Sequence, residues 1–215
     1  MGMSTVSERY GIDIRNIIRR KCYMPERIIT ISREFGSGGR TIGKRAAEKL
    51  GIPCYDKELI EQIAEQSGYA ADYVKEETES LNGGLFSALF ADRSMGLTNQ
   101  DKLWTIQCRI ITELAEKGSC IFIGRCADYI LEERENCLNV FIHASVEKRM
   151  ARIVEQYGER EDTPEHRVKE KDKQRMEYYR YYTGRKWGDV YNYQICLDSG
   201  ELGIEKCADL ICQLY

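Results

Sequence analysis

The chain has 215 residues, of which 42% are hydrophobic and 31% are charged, and its net charge is −3. This length fits one compact domain, or one domain with inserted flaps, and the composition is ordinary for a soluble globular protein. The weak negative charge does not favour nucleic acid or an anionic membrane as a partner, and no apolar run approaches the ~20 residues that span a bilayer.

The nine cysteines contain no Cys-x-x-Cys pair and show no metal-like spacing with His143 and His166. An odd number of thiols, most of them inside apolar runs, is typical of a reducing compartment. We therefore expect free thiols and a cytoplasmic protein.

Residues 1–26 form an N-terminal arm in which Arg15, Arg19 and Lys21 surround Ile17 and Ile18. This pattern predicts a short amphipathic helix. We interpret it as a surface arm or adaptor helix rather than a tether to a membrane or to nucleic acid.

The most informative stretch joins a buried strand at Ile28–Ile31 to a helix through the glycine-rich turn Gly36-Ser37-Gly38-Gly39-Arg40. Apolar residues then recur at helical spacing until Gly51 and Pro53 end the helix. A strand, a glycine turn and a helix N-terminus bring several backbone N–H groups to one point. This order predicts a binding site for phosphate.

Further along, short apolar runs alternate with helical patterns, which predicts a parallel sheet covered by helices on both faces. The later predicted strands are Pro53–Tyr55, Cys120–Ile123, Val140–Ile142 and Tyr193–Leu197. The later predicted helices are Lys57–Gln66, Leu103–Leu114, Asp128–Glu135, Val146–Tyr157 and Ile204–Ile211. Residues 67–99 are predicted to be a mobile insertion with an apolar cluster at Leu85–Phe90, and residues 159–186 are densely charged with both signs.

Two nucleotide-binding plans begin with a strand, a glycine turn and a helix. The dinucleotide fingerprint Gly-x-Gly-x-x-Gly fails because Thr41 occupies the third glycine position, counted from Gly36 and Gly38. Asp56, at the end of the second predicted strand, still fits a ribose-binding acid, so this plan stays open.

The other plan is the phosphate loop Gly-x-x-x-x-Gly-Lys-[Ser/Thr], which can be placed here in two registers. With Gly38 as the second glycine, Gly39 replaces the lysine and Arg40 the hydroxyl residue. With Gly39 as that glycine, Arg40 and Thr41 take the positions of the lysine and the hydroxyl residue. We favour the second register, because it keeps a cation and a hydroxyl in order and an arginine can hold phosphate oxygens as a bidentate fork.

Four later segments follow the glycine loop Ile31–Arg40 in a recognisable order. They are Ile123–Asp128, Val140–Arg152, Lys169–Arg175 and Leu197–Ser199. With these segments the chain, from Arg27 to its C-terminus, resembles the cytidylate kinase-like family of nucleoside monophosphate kinases. The tyrosine-rich segment Tyr178–Trp187 resembles the uncharacterised branch of that family rather than the authentic cytidylate kinases.

The resemblance implies an α/β protein with a three-layer α/β/α fold of the P-loop NTPase type and a five-stranded parallel sheet. It places a kinase-like domain over residues 27–215, with an acceptor-binding insertion at 57–100 and a lid over ATP at 159–187. A closing lid of this kind delivers arginines to the reacting phosphate and excludes water.

The resemblance also implies an ATP- and Mg²⁺-dependent phosphotransferase that acts on a small-molecule nucleotide such as CMP. The residues implied to bind ATP are Gly36, Ser37, Gly38, Gly39, Arg40 and Thr41, and Thr41 would also reach Mg²⁺. The acceptor would contact Arg125, Asp56 and Lys171, and the candidate catalytic residues are Arg40, Asp56, Arg175, Arg180 and Arg185. We interpret Arg149 and Arg152, on the helix that leads to the lid, as structural.

Three positions depart from the authentic enzymes that the chain resembles. Ile123 replaces an acid at the end of the third strand, Cys126 replaces the aspartate after the Gly-Arg pair, and Asp56-Lys57-Glu58 replaces the segment that recognises cytosine. These departures motivate an alternative, a non-catalytic nucleotide-binding or regulatory protein with a degenerate kinase fold. A nicotinamide oxidoreductase is a third hypothesis.

Overall fold

The computed structural model describes residues 27–77 and 99–215, and its centre is a sheet of five parallel strands. The strands are β1 Ile28–Arg33, β2 Cys54–Tyr55, β3 Cys120–Ile123, β4 Cys137–His143 and β5 Ile195–Asp198. Their order across the sheet is β2-β3-β1-β4-β5. The five-stranded parallel sheet expected for this chain is confirmed.

The position of β1 in the sheet decides between the two nucleotide-binding plans. Ile31 of β1 pairs with Ile123 of β3 on one side and with Val140 of β4 on the other. In the dinucleotide-binding plan the first strand lies next to the second. The chain therefore does not follow that plan, which removes the basis for the oxidoreductase hypothesis.

Helices cover both faces of the sheet. Within the described residues they are α1 Gly39–Leu50, α2 Lys57–Ser67, α3 Ala71–Glu77, α4 Asn99–Ala115, α5 Ala127–Ile130, α6 Val146–Tyr157, α7 Pro164–Thr183, α8 Ser199–Leu202 and α9 Ile204–Leu214. A short 3-10 turn lies at Val190–Asn192.

The core consists of two apolar layers, one on each side of the sheet. Successive strand residues point to opposite faces, so Ile28 packs with Phe122 against α2–α5. Ile29 and Ile31 pack instead with Ala46 and the other apolar residues of α1 and α9. The result is the three-layer α/β/α arrangement that the sequence predicted.

The predicted boundaries around the start of β4 are wrong. The helix expected over Asp128–Glu135 is limited to α5 and is followed by turns. Strand β4 begins at Cys137, three residues before the predicted Val140, because the chain must turn early enough for Cys137 to pair with Ile28 at the start of β1. The strand therefore includes Cys137–Asn139, which the sequence assigned to neither a helix nor a strand.

The first part of the predicted insertion belongs to the core. Leu59, Ile60 and Ile63 of α2 are buried against α4 in the same cluster as the sheet. The predicted N-terminal arm and the apolar cluster at Leu85–Phe90 lie outside the described residues. The eight described cysteines are free thiols, and among the described helices none has the length and hydropathy to cross a bilayer.

Candidate functional site

The turn between β1 and α1 depends on two glycines. Gly36 and Gly38 have φ angles of 78° and 79°, in the left-handed region that residues with a Cβ rarely adopt. A Cβ added at Gly36 would also lie 2.9 Å from the carbonyl oxygen of Arg149. Gly38 is the N-cap of α1, so the turn leads directly into the helix N-terminus.

The backbone N–H groups of this turn are largely uncommitted. Ser37 donates its N–H to the Glu34 carbonyl at 3.3 Å, whereas among residues 27–77 and 99–215 no hydrogen bond uses the amides of Gly36 or Gly38. The amides in the first turn of α1 have no intrahelical acceptor, and no acidic side chain lies in that turn. The turn therefore retains the donors that a phosphate group needs.

The carbonyl groups of Gly36 and Ser37, in the same turn, already accept hydrogen bonds from side chains. Arg152 of α6 donates to the Gly36 carbonyl at 2.8 Å, and the Ser199 hydroxyl donates to the Ser37 carbonyl. The Ser37 side chain is buried and donates to the Glu34 carbonyl at 2.8 Å. These bonds fix the peptide planes and leave the N–H groups, rather than the oxygens, available to a ligand.

An ionic cluster around the buried Arg149 connects the residues before this turn to helix α7. The Arg149 side chain ion-pairs with Glu34 at 3.3 Å and with Asp172 of α7, and it donates to the Phe35 carbonyl at 3.3 Å. Asp172 also accepts the Phe35 N–H at 2.7 Å. Burial raises the pKa of Glu34 above its usual range. Arg149 thus links the segment before the glycine turn to α7.

A cleft lies beside the turn, at the carboxyl ends of β1 and β3. Three arginines line it: Arg33 from β1, Arg125 from the turn after β3, and Arg175 from α7. Arg175 donates to the Arg33 carbonyl at 3.1 Å, and its guanidinium lies 5.7 Å from the centre of the Phe35 ring. The aromatic part of the wall consists of Tyr178, Tyr179 and Trp187. Guanidinium groups and aromatic side chains together suit an anionic ligand with a flat or apolar part.

The turn after β3 has an unusual backbone. Gly124, Arg125 and Cys126 have φ angles of 71°, 60° and 53°, so two residues with side chains adopt the left-handed conformation in succession. Such residues cost about 1–3 kcal/mol each and persist only where the surroundings hold them. Gln107 holds this turn by donating to the Arg125 carbonyl at 3.0 Å. The strained turn places Arg125, which is 8% exposed, in the wall of the cleft.

Asp128 of α5 makes a second connection to helix α7. Its buried carboxyl group accepts the Tyr179 hydroxyl of α7 at 2.8 Å. Burial raises the pKa of Asp128 to about 6. Helix α7 is therefore bonded both to the glycine turn and to the turn after β3.

Arg40 and Asp56 lie outside the wall of the cleft and pair with each other. Arg40 Nε contacts the Asp56 carboxylate at the end of β2, and the Arg40 side chain is 40% exposed. The sequence predicted both residues as separate catalytic groups, whereas the structure joins them. Thr41 is half-buried in the first turn of α1.

Only one of the four lid candidates lines the cleft in this structure, namely Arg175. Lys171 is exposed and donates to Gln174 at 3.1 Å, and Arg180 is exposed near the end of α7. Arg185 ion-pairs with Glu132 and lies against the Tyr129 ring.

Sequence reasoning missed Arg33, Asp172 and Trp187 as site residues. Arg33 ends a buried strand directly before the glycine turn, and a charged residue at that place is a usable signal. Trp187 was used only as a mark of the family branch. Asp172 stands in a helix of mixed charge, where nothing in the local pattern separates it from solvated neighbours.

The donor set of the site suits phosphate groups better than it suits a protein-held metal. The described residues contain no group of three His, Cys, Asp or Glu side chains arranged to hold a metal ion. Mg²⁺, however, usually keeps several waters and takes one or two protein oxygens together with phosphate oxygens. The Thr41 hydroxyl and the Asp56 carboxylate fit that limited role.

The chain is similar in sequence to one protein family and in fold to several solved structures. The family model described as "Cytidylate kinase-like family" matches residues 28–201. An uncharacterized protein from Eubacterium ventriosum ATCC 27560 has a crystal structure that is 30% identical, with a TM-score of 0.67, over 88% of this chain and 98% of that chain. No curated protein matches the sequence.

Two shikimate kinases share the fold. The enzyme from Acinetobacter baumannii, in complex with shikimate, is 15% identical with a TM-score of 0.51, over 91% of this chain and 95% of that one. The enzyme from Bacteroides thetaiotaomicron is 16% identical with a TM-score of 0.51, over 87% and 97% of the two chains.

Proposed function

Because the chain belongs to the cytidylate kinase-like family, we propose that it is an ATP-dependent phosphotransferase acting on a small anionic acceptor such as the nucleoside monophosphate CMP. One observation carries this proposal: the glycine turn with the uncommitted amides of Gly36 and Gly38 closely follows Arg33, which lines a cleft together with Arg125 and Arg175. Amide donors and cations for the phosphates of ATP and of an acceptor would thus occur at one edge of the sheet.

This arrangement meets the requirements of phosphoryl transfer, which needs positioning and charge stabilisation more than covalent chemistry. The amides of the glycine turn would hold the phosphates of ATP, and Arg125 would hold the acceptor phosphate. Arg175, carried by α7, would stabilise the transferring group when the lid closes. The lid residues Lys171, Arg180 and Arg185 remain candidates for the closed state.

Arg40 and Asp56 would act as one unit near the N-terminus of α1. Asp56 would orient an acceptor hydroxyl, and Arg40, which contacts it, would balance its charge. Mg²⁺, when bound, supplies positive charge to the phosphates, and Thr41 with Asp56 would hold it.

A second function is favoured by the same departures that the sequence showed. The carboxyl end of β3 carries the buried Ile123 instead of an acid, and α1 begins with Gly39 instead of a lysine. A protein that binds nucleotide without transferring phosphate would tolerate both changes.

Measurement of ADP formation separates the two functions. ATP, Mg²⁺ and each common nucleoside monophosphate are incubated with the protein, with shikimate as an acceptor that lacks phosphate, and ATP binding is measured in parallel. ADP formation that depends on a nucleoside monophosphate supports the phosphotransferase. ATP binding without turnover supports the non-catalytic alternative, and a protein that does not bind ATP would have neither function.

A further inference from the structure

Arg33 and Gly39 are in direct contact where β1 ends and α1 begins. A Cβ added at Gly39 would lie 2.5 Å from Arg33 Cβ and 3.0 Å from its Cγ. The guanidinium at the other end of the side chain lies on Gly124, where an added Cβ would overlap Nη1. The Arg33 side chain therefore runs from the start of α1 to the turn after β3, and both glycines make room for it.

Arg33 and Gly39 also occupy two key positions of the phosphate-loop pattern. In Gly-x-x-x-x-Gly-Lys the lysine follows the second glycine directly, and the first glycine stands five positions before the second. With Gly38 as the second glycine, the first position is Arg33 and the lysine position is Gly39. The cation and the small residue have exchanged places within the motif.

The structure supports this register over the one that the sequence favoured. Helix α1 begins at Gly39 with Gly38 as its N-cap, as expected when Gly38 is the second glycine. Arg40, which is the cation in the other register, is paired with Asp56 and lies outside the wall of the cleft. Arg33 lines the cleft.

We propose that Arg33 is the phosphate-binding cation of this protein and supplies, from the end of β1, the charge that a lysine on the first helix supplies in the standard pattern. Its role rests on the proposed function, because the phosphates concerned are those of bound ATP. A guanidinium group can hold two phosphate oxygens at once and is permanently charged. The Arg33 stem lies on Gly39 of the glycine turn, and its guanidinium lies on Gly124, next to Arg125 in the wall of the cleft.

The first test measures ATP affinity by calorimetric titration of the wild type and of Arg33→Met, which keeps the packing of the stem on Gly39 but removes the charge. We expect ATP binding to weaken about 10- to 100-fold, as is typical when a hydrogen-bonded charge is lost. Arg45→Ala is the matched control, because Arg45 is an exposed cation of α1 that pairs with Glu205. It should bind ATP like the wild type.

The second test restores the standard pattern. Gly39→Lys alone should lower the melting temperature, because the new side chain collides with Arg33. The double variant Arg33→Gly with Gly39→Lys should bind ATP at least tenfold more tightly than Arg33→Gly alone.

The outcomes separate this inference from the proposed function. A folded Arg33→Met protein that binds ATP with wild-type affinity overturns the role of Arg33 and leaves the proposed function intact. A double variant that binds ATP no better than Arg33→Gly contradicts the exchange of positions. A wild-type protein that does not bind ATP overturns the proposed function, and the role of Arg33 falls with it.

Discussion

Asp172 accepts the backbone N–H of Phe35 at 2.7 Å, so a carboxylate of α7 is bonded to the residue directly before the glycine turn. The same carboxylate ion-pairs with Arg149, which is buried beneath that turn. Movement of α7 away from this point must therefore break a charged contact with the segment between β1 and α1.

Asp172→Ala should lower the free energy of unfolding by about 3 kcal/mol, because removal of one partner leaves a buried arginine incompletely paired. Urea denaturation measures the change. Lys173→Ala, at an exposed neighbouring position of α7, should stay within about 0.5 kcal/mol of the wild type. Equal losses in the two variants would show that the Asp172 contact contributes nothing to stability.

Asp128 predicts a specific dependence of stability on pH. Its pKa is about 6 in the folded protein, against an ordinary value of 3.8, because burial disfavours the charged form. The protonated carboxyl therefore stabilises the fold below pH 4, and this stabilisation is lost as the pH rises to about 6. Asp128→Asn should gain stability relative to the wild type over that interval, by about 3 kcal/mol.

Urea denaturation at pH 4 and pH 7 tests whether Asp128→Asn gains stability relative to the wild type as the pH rises. The control is Asp209, an exposed acid whose pKa is lowered by the hydrogen bond from the Lys49 ammonium. Asp209→Asn should show no comparable gain between pH 4 and pH 7, because a lowered pKa changes the stability mainly below its ordinary value of 3.8. An Asp128→Asn protein whose stability follows the wild type at both pH values would contradict the raised pKa.

The contact between Arg40 and Asp56 predicts non-additive kinetics. Arg40→Ala and Asp56→Ala should each reduce kcat/KM, and the double variant should lose little more than the larger single loss, since residues that act as a unit fail together. A double-mutant cycle on kcat/KM measures this coupling. Strictly additive losses would mean that the two side chains act separately, as the sequence alone suggested.

Arg125 is expected to act on the acceptor rather than on ATP. Arg125→Ala should raise the KM of the acceptor about tenfold or more, because a charge-assisted contact with its phosphate is lost. The ATP dissociation constant should stay near the wild-type value. Arg109→Ala, at an exposed position of α4, serves as the control. Equal weakening of ATP and acceptor binding would assign Arg125 to the donor site or to folding.

The sequence predicted the sheet and its covering helices well, because short apolar runs such as Cys120–Ile123 and helical stripes such as that of α9 are set by local burial. It failed at β4, where pairing with the long strand β1 recruits Cys137 and its neighbours. Pairing of that kind depends on a distant strand and leaves no mark in the local pattern.

The site was harder to predict than the fold. The glycine turn was predicted from its own pattern, and Arg125 and Arg175 were implied by the resemblance to the family; the two arginines line one cleft. The register that we propose for the loop was not predicted, because Arg33 and Gly39 stand six positions apart and only the packing of one on the other shows that they are linked. The pairing of Arg40 with Asp56 likewise joins two segments that no spacing rule connects.

A crystal structure of the protein with a non-hydrolysable ATP analogue and Mg²⁺ gives the most direct test. We expect the triphosphate on the amides of Gly36, Gly38 and Gly39, with the Arg33 guanidinium bonded to its oxygens. A triphosphate bound elsewhere, or a glycine turn whose amides stay away from the bound nucleotide, would contradict the proposed phosphotransferase site.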